Sequence, residues 1–258
     1  MSTVITERSG HVLLITLNRP ERLNAVDAAL TQELGSALEI LEQSADLRVG
    51  VLTGAGKAFC AGLDMKAVAA GEPVESTRDA RWGFAGMTSR VLSKPLIAAV
   101  NGDAIGGGLE IALACDVIVA AEGARIGLPE VAHGLFAAGG GVHRLAQQLP
   151  EKVALEMLLT GRLVGINEAA SWGLVHSVVS VSEVVADALA LAERIAGNAP
   201  LAVRTTKRLT ALSRGHTATD AHVIALTNAA AAEVFASKDV ERGLSAFRDG
   251  RRPEFVGD

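Results

Sequence analysis

The sequence predicts an α/β fold that ends in an all-helical region. Three observations carry this: short apolar runs alternate with helical patterns, glycine-rich turns follow several of the runs, and strand patterns stop near residue 180. Val12–Leu17 and Val49–Thr53 read as strands, and a helix from about Asp27 to Ser44 separates them with apolar residues at helical spacing. Leu96–Val100, Val117–Ala120 and Val175–Val179 read as further buried strands. Four helices then follow: Val181–Ala196, Leu201–Ser213, Ala218–Ala236 and Lys238–Phe247. Gly197-Asn198-Ala199-Pro200 reads as a helix stop and start, and divides an α/β core over 1–196 from a helical region over 197–258. Ala225, Leu226, Ala229, Ala230, Ala231 and Ala232 make the third of these helices apolar on more than one face, which points to packing against another subunit.

With 258 residues, 49% of them hydrophobic, the chain is long enough to bury a full core. Its longest apolar runs fall short of a membrane span, and no charged-then-apolar leader opens it, so no membrane partner is expected. Two cysteines, Cys60 and Cys115, make no disulfide framework, and a reducing cytoplasm is the expected compartment. A net charge of −5 argues against a partner held by bulk positive charge, so no nucleic acid is expected. Tyrosine is absent, which removes one class of acid or base.

The segment Ala98–Asp116 carries the most chemistry. An apolar strand turns through Asn101-Gly102, reaches Gly106, Gly107 and Gly108, and opens a helix with Glu110 in its first turn. Backbone N–H groups at a helix start have no internal acceptor, and glycines let a ligand approach them. Such a site suits an oxygen that becomes negative during a reaction. Gly107 and Glu110 are three apart and share one face of the helix, so an anion hole and a carboxylate would serve one reacting centre. A second glycine-rich loop, Gly54 to Asp64, follows the strand Val49–Thr53, at the strand end where open α/β sheets bind ligands. A third element is Gly127-Leu128-Pro129-Glu130, followed by Gly139-Gly140-Gly141. The triple glycine is no dinucleotide fingerprint, because Ile111 stands where a third spaced glycine belongs, and it lacks the Lys-Ser/Thr end of a phosphate loop.

Taken in order, these pieces resemble the enoyl-CoA hydratase/isomerase (crotonase) superfamily over nearly the whole chain. The matching motifs are Asn18-Arg19-Pro20 with Leu23-Asn24-Ala25, the Phe59–Lys66 loop, Ala98–Asp116, Gly127–Glu130, Leu159-Thr160-Gly161-Arg162, Gly173-Leu174-Val175 and the tail from Ala246-Phe247 to Phe255. The resemblance implies a crotonase-type spiral of ββα units followed by a C-terminal helical trimerisation region. It implies acyl-CoA thioester substrates, no metal, no cofactor beyond the coenzyme A of the substrate, and a homotrimer or dimer of trimers (a hexamer). Carried over by position, it puts the thioester oxygen between the backbone N–H groups of Ala61 and Gly107. It makes Glu110 and Glu130 the two catalytic carboxylates of an enoyl-CoA hydratase, a hydro-lyase, with Glu110 on the water and Glu130 on the C2 proton. Arg22, Ala61, Gly62, Leu63, Asp64 and Gly107 are the implied substrate-binding positions; Arg22 falls where the family usually has a basic residue near the coenzyme A phosphates, and Lys57 and Lys66 flank the first loop.

Two carboxylates favour a hydratase over the simple enoyl-CoA isomerases, which need one acid/base. Gly83-Phe84-Ala85-Gly86 and Trp172-Gly173 resemble the carnitinyl-CoA dehydratases, so that activity, or an isomerase, is the alternative. One departure stands out: Ala137-Ala138 occupies the place of a Pro-Gly pair, and a methyl there would crowd the water and Glu130, predicting slow hydration of simple straight-chain substrates. Trp82, Phe84, Met87 and Phe136 are candidates for an acyl pocket or for plain core, and Gly71–Arg81 resembles the segment whose length varies with acyl group. His133 reads as a wall residue, because one Glu-x-x-His copy is no di-iron site. Two readings from other classes compete. A proteolytic-complex serine peptidase needs Ser, His and Asp together, and no serine lies on the Gly107 or Glu130 loops. A non-catalytic acyl-CoA or RNA binding protein would not need two carboxylates beside an anion hole.

Overall fold

The structure, a computed structural model, describes residues 2–71, 82–216 and 220–258. Most of the expected segment Gly71–Arg81 lies outside the described residues, as does the start of the helix expected from Ala218.

A six-stranded sheet forms the centre: β1 (Val4–Ser9), β2 (Val12–Leu17), β3 (Val49–Gly54), β5 (Leu96–Val100), β7 (Val117–Ala121) and β10 (Ser177–Val179), adjacent in that order. β1 pairs antiparallel with β2, and every later neighbour is parallel. Parallel strands covered on both faces read as continuous apolar runs, which is why β3 and β5 are buried along their whole length.

A helix covers each of two stretches of this sheet. α1 (Ala28–Gln43) is capped by Asp27, whose side chain accepts from the Leu30 N–H at 2.8 Å, and it ends at Ser44. Its leucines 30, 34, 38 and 41 recur at helical spacing and are fully buried, each contributing about 2 kcal/mol by removal from water. α7 (Val184–Ala196) lays Val184, Ala188, Ala192 and Ala196 against β2, β3, β5 and β7. Its first turn starts three residues later than periodicity predicts, because Ser180 to Glu183 forms a turn closed by the Glu183 N–H on the Ser180 carbonyl.

A second sheet positions the chemistry. It orders β4 (Ala58–Cys60), β6 (Asp103–Ile105), β8 (Arg125–Gly127) and β9 (Val164–Gly165), with the first three parallel. Each of β3, β5 and β7 therefore sends the chain into a short partner, β4, β6 or β8, giving three successive turns of a spiral. The loops that leave the ends of β4, β6 and β8 emerge side by side. α2 (Met65–Ala69), α3 (Gly107–Ala114) and a 3-10 turn (Pro129–His133) follow them in sequence.

Beyond these come α4 (Gly141–Gln148), α5 (Glu151–Thr160), α6 (Ile166–Ser171), and then α8 (Pro200–Leu212), α9 (Ala221–Phe235) and α10 (Lys238–Arg248). α8 is tied to the core by Lys207, which donates to the Lys94 carbonyl and pairs with Asp116 at 2.6 Å. α9 buries Ala230 alone, and Phe235, Leu244 and Phe247 at the end of the chain are exposed. No helix among the described residues is long and apolar enough to cross a membrane.

Candidate active site

The start of α3 is the point on which the three loops converge. Gly106 turns with φ +56°, which a side chain rarely adopts, and sends the chain from β6 into the helix. No side chain fits at Gly107, where it would strike the Phe84 ring, or at Gly108, where it would strike the Cys60 carbonyl. A Cβ on Gly62 would sit 2.9 Å from the Gly107 nitrogen. The loop after β4 thus lies backbone to backbone against the helix start, and the glycines at 62, 107 and 108 are the condition for that approach.

The first-turn N–H of Gly107 has no acceptor, as expected of a helix N-terminus. The other expected donor needs correction. The Ala61 N–H donates to the Leu23 carbonyl at 2.9 Å and is already committed. Val26 donates to the Gly62 carbonyl at 2.7 Å and accepts from the Asp64 N–H at 2.9 Å, in a parallel bridge to Leu63. A residue in that bridging position turns its own N–H to the opposite side, and among the described residues the Leu63 N–H has no acceptor. Among the described residues the amides of Leu63 and Gly107 are free at this junction, as is the next amide of the helix, that of Gly108.

The Asn-Arg-Pro…Leu-Asn-Ala motif holds that loop in place. Asn24, fully buried, donates from Nδ2 to the carbonyls of Ala55, Ala58 and Phe59, and accepts from the Arg19 N–H at 2.9 Å. Arg19 pairs with Asp27 at 2.9 Å and Asp64 at 3.1 Å. Asp64 also caps α2 by accepting from the Lys66 and Ala67 amides. Burial pushes its carboxyl up, but those amides and Arg19 outweigh burial and hold it below the ordinary value. The Asp64 carboxylate thus accepts from Arg19 on one oxygen and from the Lys66 and Ala67 amides on the other, which spends it on holding the loop. Arg22 is exposed beside Leu23, and Lys57 and Lys66 are exposed on the flanks of the loop.

Glu110 and Glu130 are brought to this same junction. Glu110 is 4% exposed, and its Oε1 accepts from the Gly141 N–H at 2.8 Å. A Cβ on Gly139 would sit 2.6 Å from Glu110 Oε2, and one on Gly141 would sit 3.0 Å from Oε1. The glycine run is therefore a cradle for a carboxylate, a role its sequence alone does not announce. Burial pushes the Glu110 carboxyl above its ordinary range and the charge of Glu130 adds to the rise, while the amides of Gly141 and Gly139 and the charge of Arg144 oppose it. Glu130, on the 3-10 turn after Pro129, puts Oε1 3.1 Å from where a Gly106 Cβ would be. Its Oε2 is buried with no hydrogen-bond partner. Burial raises this carboxyl too, opposed by its own backbone amide and by the charge of His133. The two carboxylates differ in one respect: Glu110 is hydrogen-bonded in its ionised form, and Glu130 has an oxygen with nothing to accept from.

Of the candidate pocket residues, Phe84 packs over Gly107 and beside Gly139, inside the site. Met87 is buried core, Trp82 packs on Gly35 of α1 beneath the Arg90 guanidinium, and Phe136 is 67% exposed. His133 is exposed at the end of its turn. Ala137 is buried and Ala138 is exposed, so the close approach to Glu110 is made by Gly139, one residue beyond the departure in the sequence. No group of three or more His, Cys, Asp or Glu that could hold a metal ion occurs among the described residues. Cys60 is buried, its thiol pushed up to about 12 by burial.

A family model described as enoyl-CoA hydratase/isomerase matches residues 7–258. A carnitinyl-CoA dehydratase of Proteus mirabilis is 40% identical over 256 residues, covering 96% of each chain. An enoyl-CoA hydratase of Mycobacterium tuberculosis is 37% identical over 255 residues, covering 97% of this chain and 95% of the relative. Among solved structures, an enoyl-CoA hydratase from Mycobacterium tuberculosis superposes with a TM-score of 0.95 at 42% identity over the full length of both chains.

Proposed function

The chain belongs to the enoyl-CoA hydratase/isomerase family, and from that premise we propose that this cleft adds water across the 2,3 double bond of an enoyl-CoA thioester, or removes it in reverse. The observation that carries the reading is the pair of carboxylates, Glu110 buried and Glu130 half-buried with a buried Oε2, beside free backbone amides.

Attack of water at C3 moves an electron pair through C2 onto the thioester oxygen. That oxygen takes enolate character and needs donors fixed in advance; the N–H groups of Leu63 and Gly107 supply them, and one such donor is typically worth about 3–4 kcal/mol in kcat. The difference between the two carboxylates supports a division of the proton transfers. Glu110, whose ionised form accepts from the Gly141 amide and is favoured by that of Gly139 against the effect of burial, takes a proton from the attacking water. Glu130, whose orphaned oxygen favours the protonated form, delivers a proton to C2. The reverse sequence dehydrates a 3-hydroxyacyl-CoA on the same groups, and the Proteus mirabilis relative supports a carnitinyl-type substrate as the second reading. Arg22, Lys57 and Lys66 meet the coenzyme A phosphates at the exposed edge of the loop. No cofactor beyond the thioester enters this scheme.

The reading extends to assembly and location. α9 with one buried residue, and Phe235, Leu244 and Phe247 left exposed, supports a homotrimer or dimer of trimers built through residues 197–258, with the spiral of residues 1–196 carrying the site. A monomer by light scattering at micromolar concentration refutes that part. Two buried, unpaired cysteines fit a reducing cytoplasm.

The test is loss of the conjugated thioester absorbance with crotonyl-CoA, longer enoyl-CoAs and the carnitinyl type. Glu110→Gln and Glu130→Gln each lower turnover at least ~100-fold while thioester binding survives, since the oxyanion donors are backbone. Wild-type turnover in both variants overturns the mechanism.

A further inference from the structure

Arg144 is a half-buried cation at the back of the site that forms no direct ion pair among the described residues. Placing a guanidinium away from water without a carboxylate partner is costly, so its surroundings must repay it through hydrogen bonds and longer-range charge. It lies on α4, three residues after Gly141, and bends back against the glycine run, its guanidinium end reaching the place where a Cβ on Gly140 would be. One arm donates to the Thr88 carbonyl, and the other reaches the Gly139 carbonyl at 3.5 Å. Thr88 closes the turn that carries Phe84, its N–H donating to the Phe84 carbonyl at 3.1 Å. One side chain therefore brackets two walls of the cleft: the Phe84 turn lying over Gly107, and the glycine cradle of Glu110.

We propose that Arg144 is a positioning residue for the hydration, holding the Gly139–Gly141 amides on Glu110 and setting a positive charge beside that carboxylate. The inference rests on Glu110 being the base. A planar fork suits the bracket, because two carbonyls on different segments are held at once and with fixed geometry. The carbonyl of Gly139 fixes the plane of the peptide that follows it, and the amides of Gly139 and Gly141 face the carboxylate. The charge acts in the same direction as the amides: Arg144 and the two glycine N–H groups oppose burial and the charge of Glu130, the two influences that raise Glu110. From its other sides Arg144 faces Arg214, His143 and the Cys115 thiol, and Asp116, the carboxylate lining the same cavity, is paired with Lys207 at 2.6 Å.

The test compares Arg144→Gln with Arg144→Lys on the turnover of crotonyl-CoA across pH. A base must be ionised to act, so kcat falls on the acid side as Glu110 takes up a proton. Removing the positive charge in Arg144→Gln raises the carboxyl further and moves that acid limb to higher pH, so that kcat is reduced about threefold more at pH 6 than at pH 8, with KM near wild type. Arg144→Lys keeps the charge and loses the fork: kcat drops roughly tenfold at every pH, and the limb stays where wild type has it. A purely structural arginine would lower kcat or stability and leave the limb in place. The proposal is overturned by an unmoved limb in Arg144→Gln, by a limb shift in the lysine variant as large as in the glutamine variant, or by wild-type kcat in either. If the glutamine variant does not fold, Arg144→Met takes its place as the neutral variant and is read by the same shift of the acid limb. Glu110→Gln separates this from the underlying reading: a dead Glu110→Gln beside wild-type Arg144 variants sinks the role of Arg144 only, whereas an active Glu110→Gln sinks the base assignment.

Discussion

Gly139→Ala tests the cradle with a single methyl. The glycine has no positive φ, so alanine is tolerated by the backbone and the effect is steric alone. The added Cβ would lie 2.6 Å from Glu110 Oε2, 3.0 Å from its Cδ and 3.1 Å from Phe84 Cβ. Ordinary contact begins near 3.4 Å, so the carboxylate must retreat by most of an ångström. It is not free to do so cheaply, because Oε1 is held by the Gly141 N–H at 2.8 Å and Phe84 closes the other side. A misplacement of about 1 Å can cost a hundredfold in rate, so kcat falls roughly 10- to 100-fold. KM changes little, since the amides of Leu63 and Gly107 and the phosphate contacts are untouched. Gly165→Ala is the control: it has no positive φ, and nothing lies within 4 Å of the added methyl. The assay is steady-state hydration of crotonyl-CoA, with thermal unfolding of both variants to confirm that each is folded. Wild-type kcat in a folded Gly139→Ala would show that the cradle does not set the position of the base, and the argument from those distances fails.

Glu110→Gln raises the thermal midpoint while destroying turnover. The folded pKa of Glu110 is raised, so the wild type is most stabilised when this group is protonated and loses that stability as pH rises through the folded value. The neutral variant escapes this, giving a gain of about 2–4 °C at pH 8, near 1 kcal/mol for a chain of this size, that shrinks below pH 5. Scanning calorimetry at the two pH values checks it, and an equal gain at both refutes it. Ala138→Gly changes kcat by less than about threefold, because the contact with Glu110 belongs to Gly139; a large rise in kcat on crotonyl-CoA would restore the crowding expected at Ala138. Asn24→Ala unpins the first loop by leaving the carbonyls of Ala55, Ala58 and Phe59 without that donor; it costs roughly 1–3 kcal/mol in stability by denaturant titration, and an unchanged midpoint counts against its role.

Patterns with a period were legible in the sequence. The four leucines of α1 and the unbroken apolar runs of β5 and β7 follow from burial on one helical stripe or on both faces of a strand. Gly107 and Glu110 on one helical face are equally local, and the structure puts both at the junction where the loops meet. The strands β4, β6, β8 and β9 were invisible, because two or three residues carry no alternation. Yet their adjacency alone brings three loops to one point.

The finer choices belonged to tertiary structure for the same reason. Within Ala61-Gly62-Leu63, sequence marks a backbone donor, but which N–H is free depends on a carbonyl of Leu23 and a bridge to Val26, some forty residues away along the chain. Asp64 looked available until Arg19 and the start of α2 claimed its oxygens. The glycines at 139 and 141 read as a flexible run, and Arg144 as one more charge. Each takes its meaning from Glu110, which lies on a different helix and meets them only after the spiral has closed. A residue type states what a group can do. Hydrogen bonds saturate, so what it does do is decided by which partners the fold delivers first.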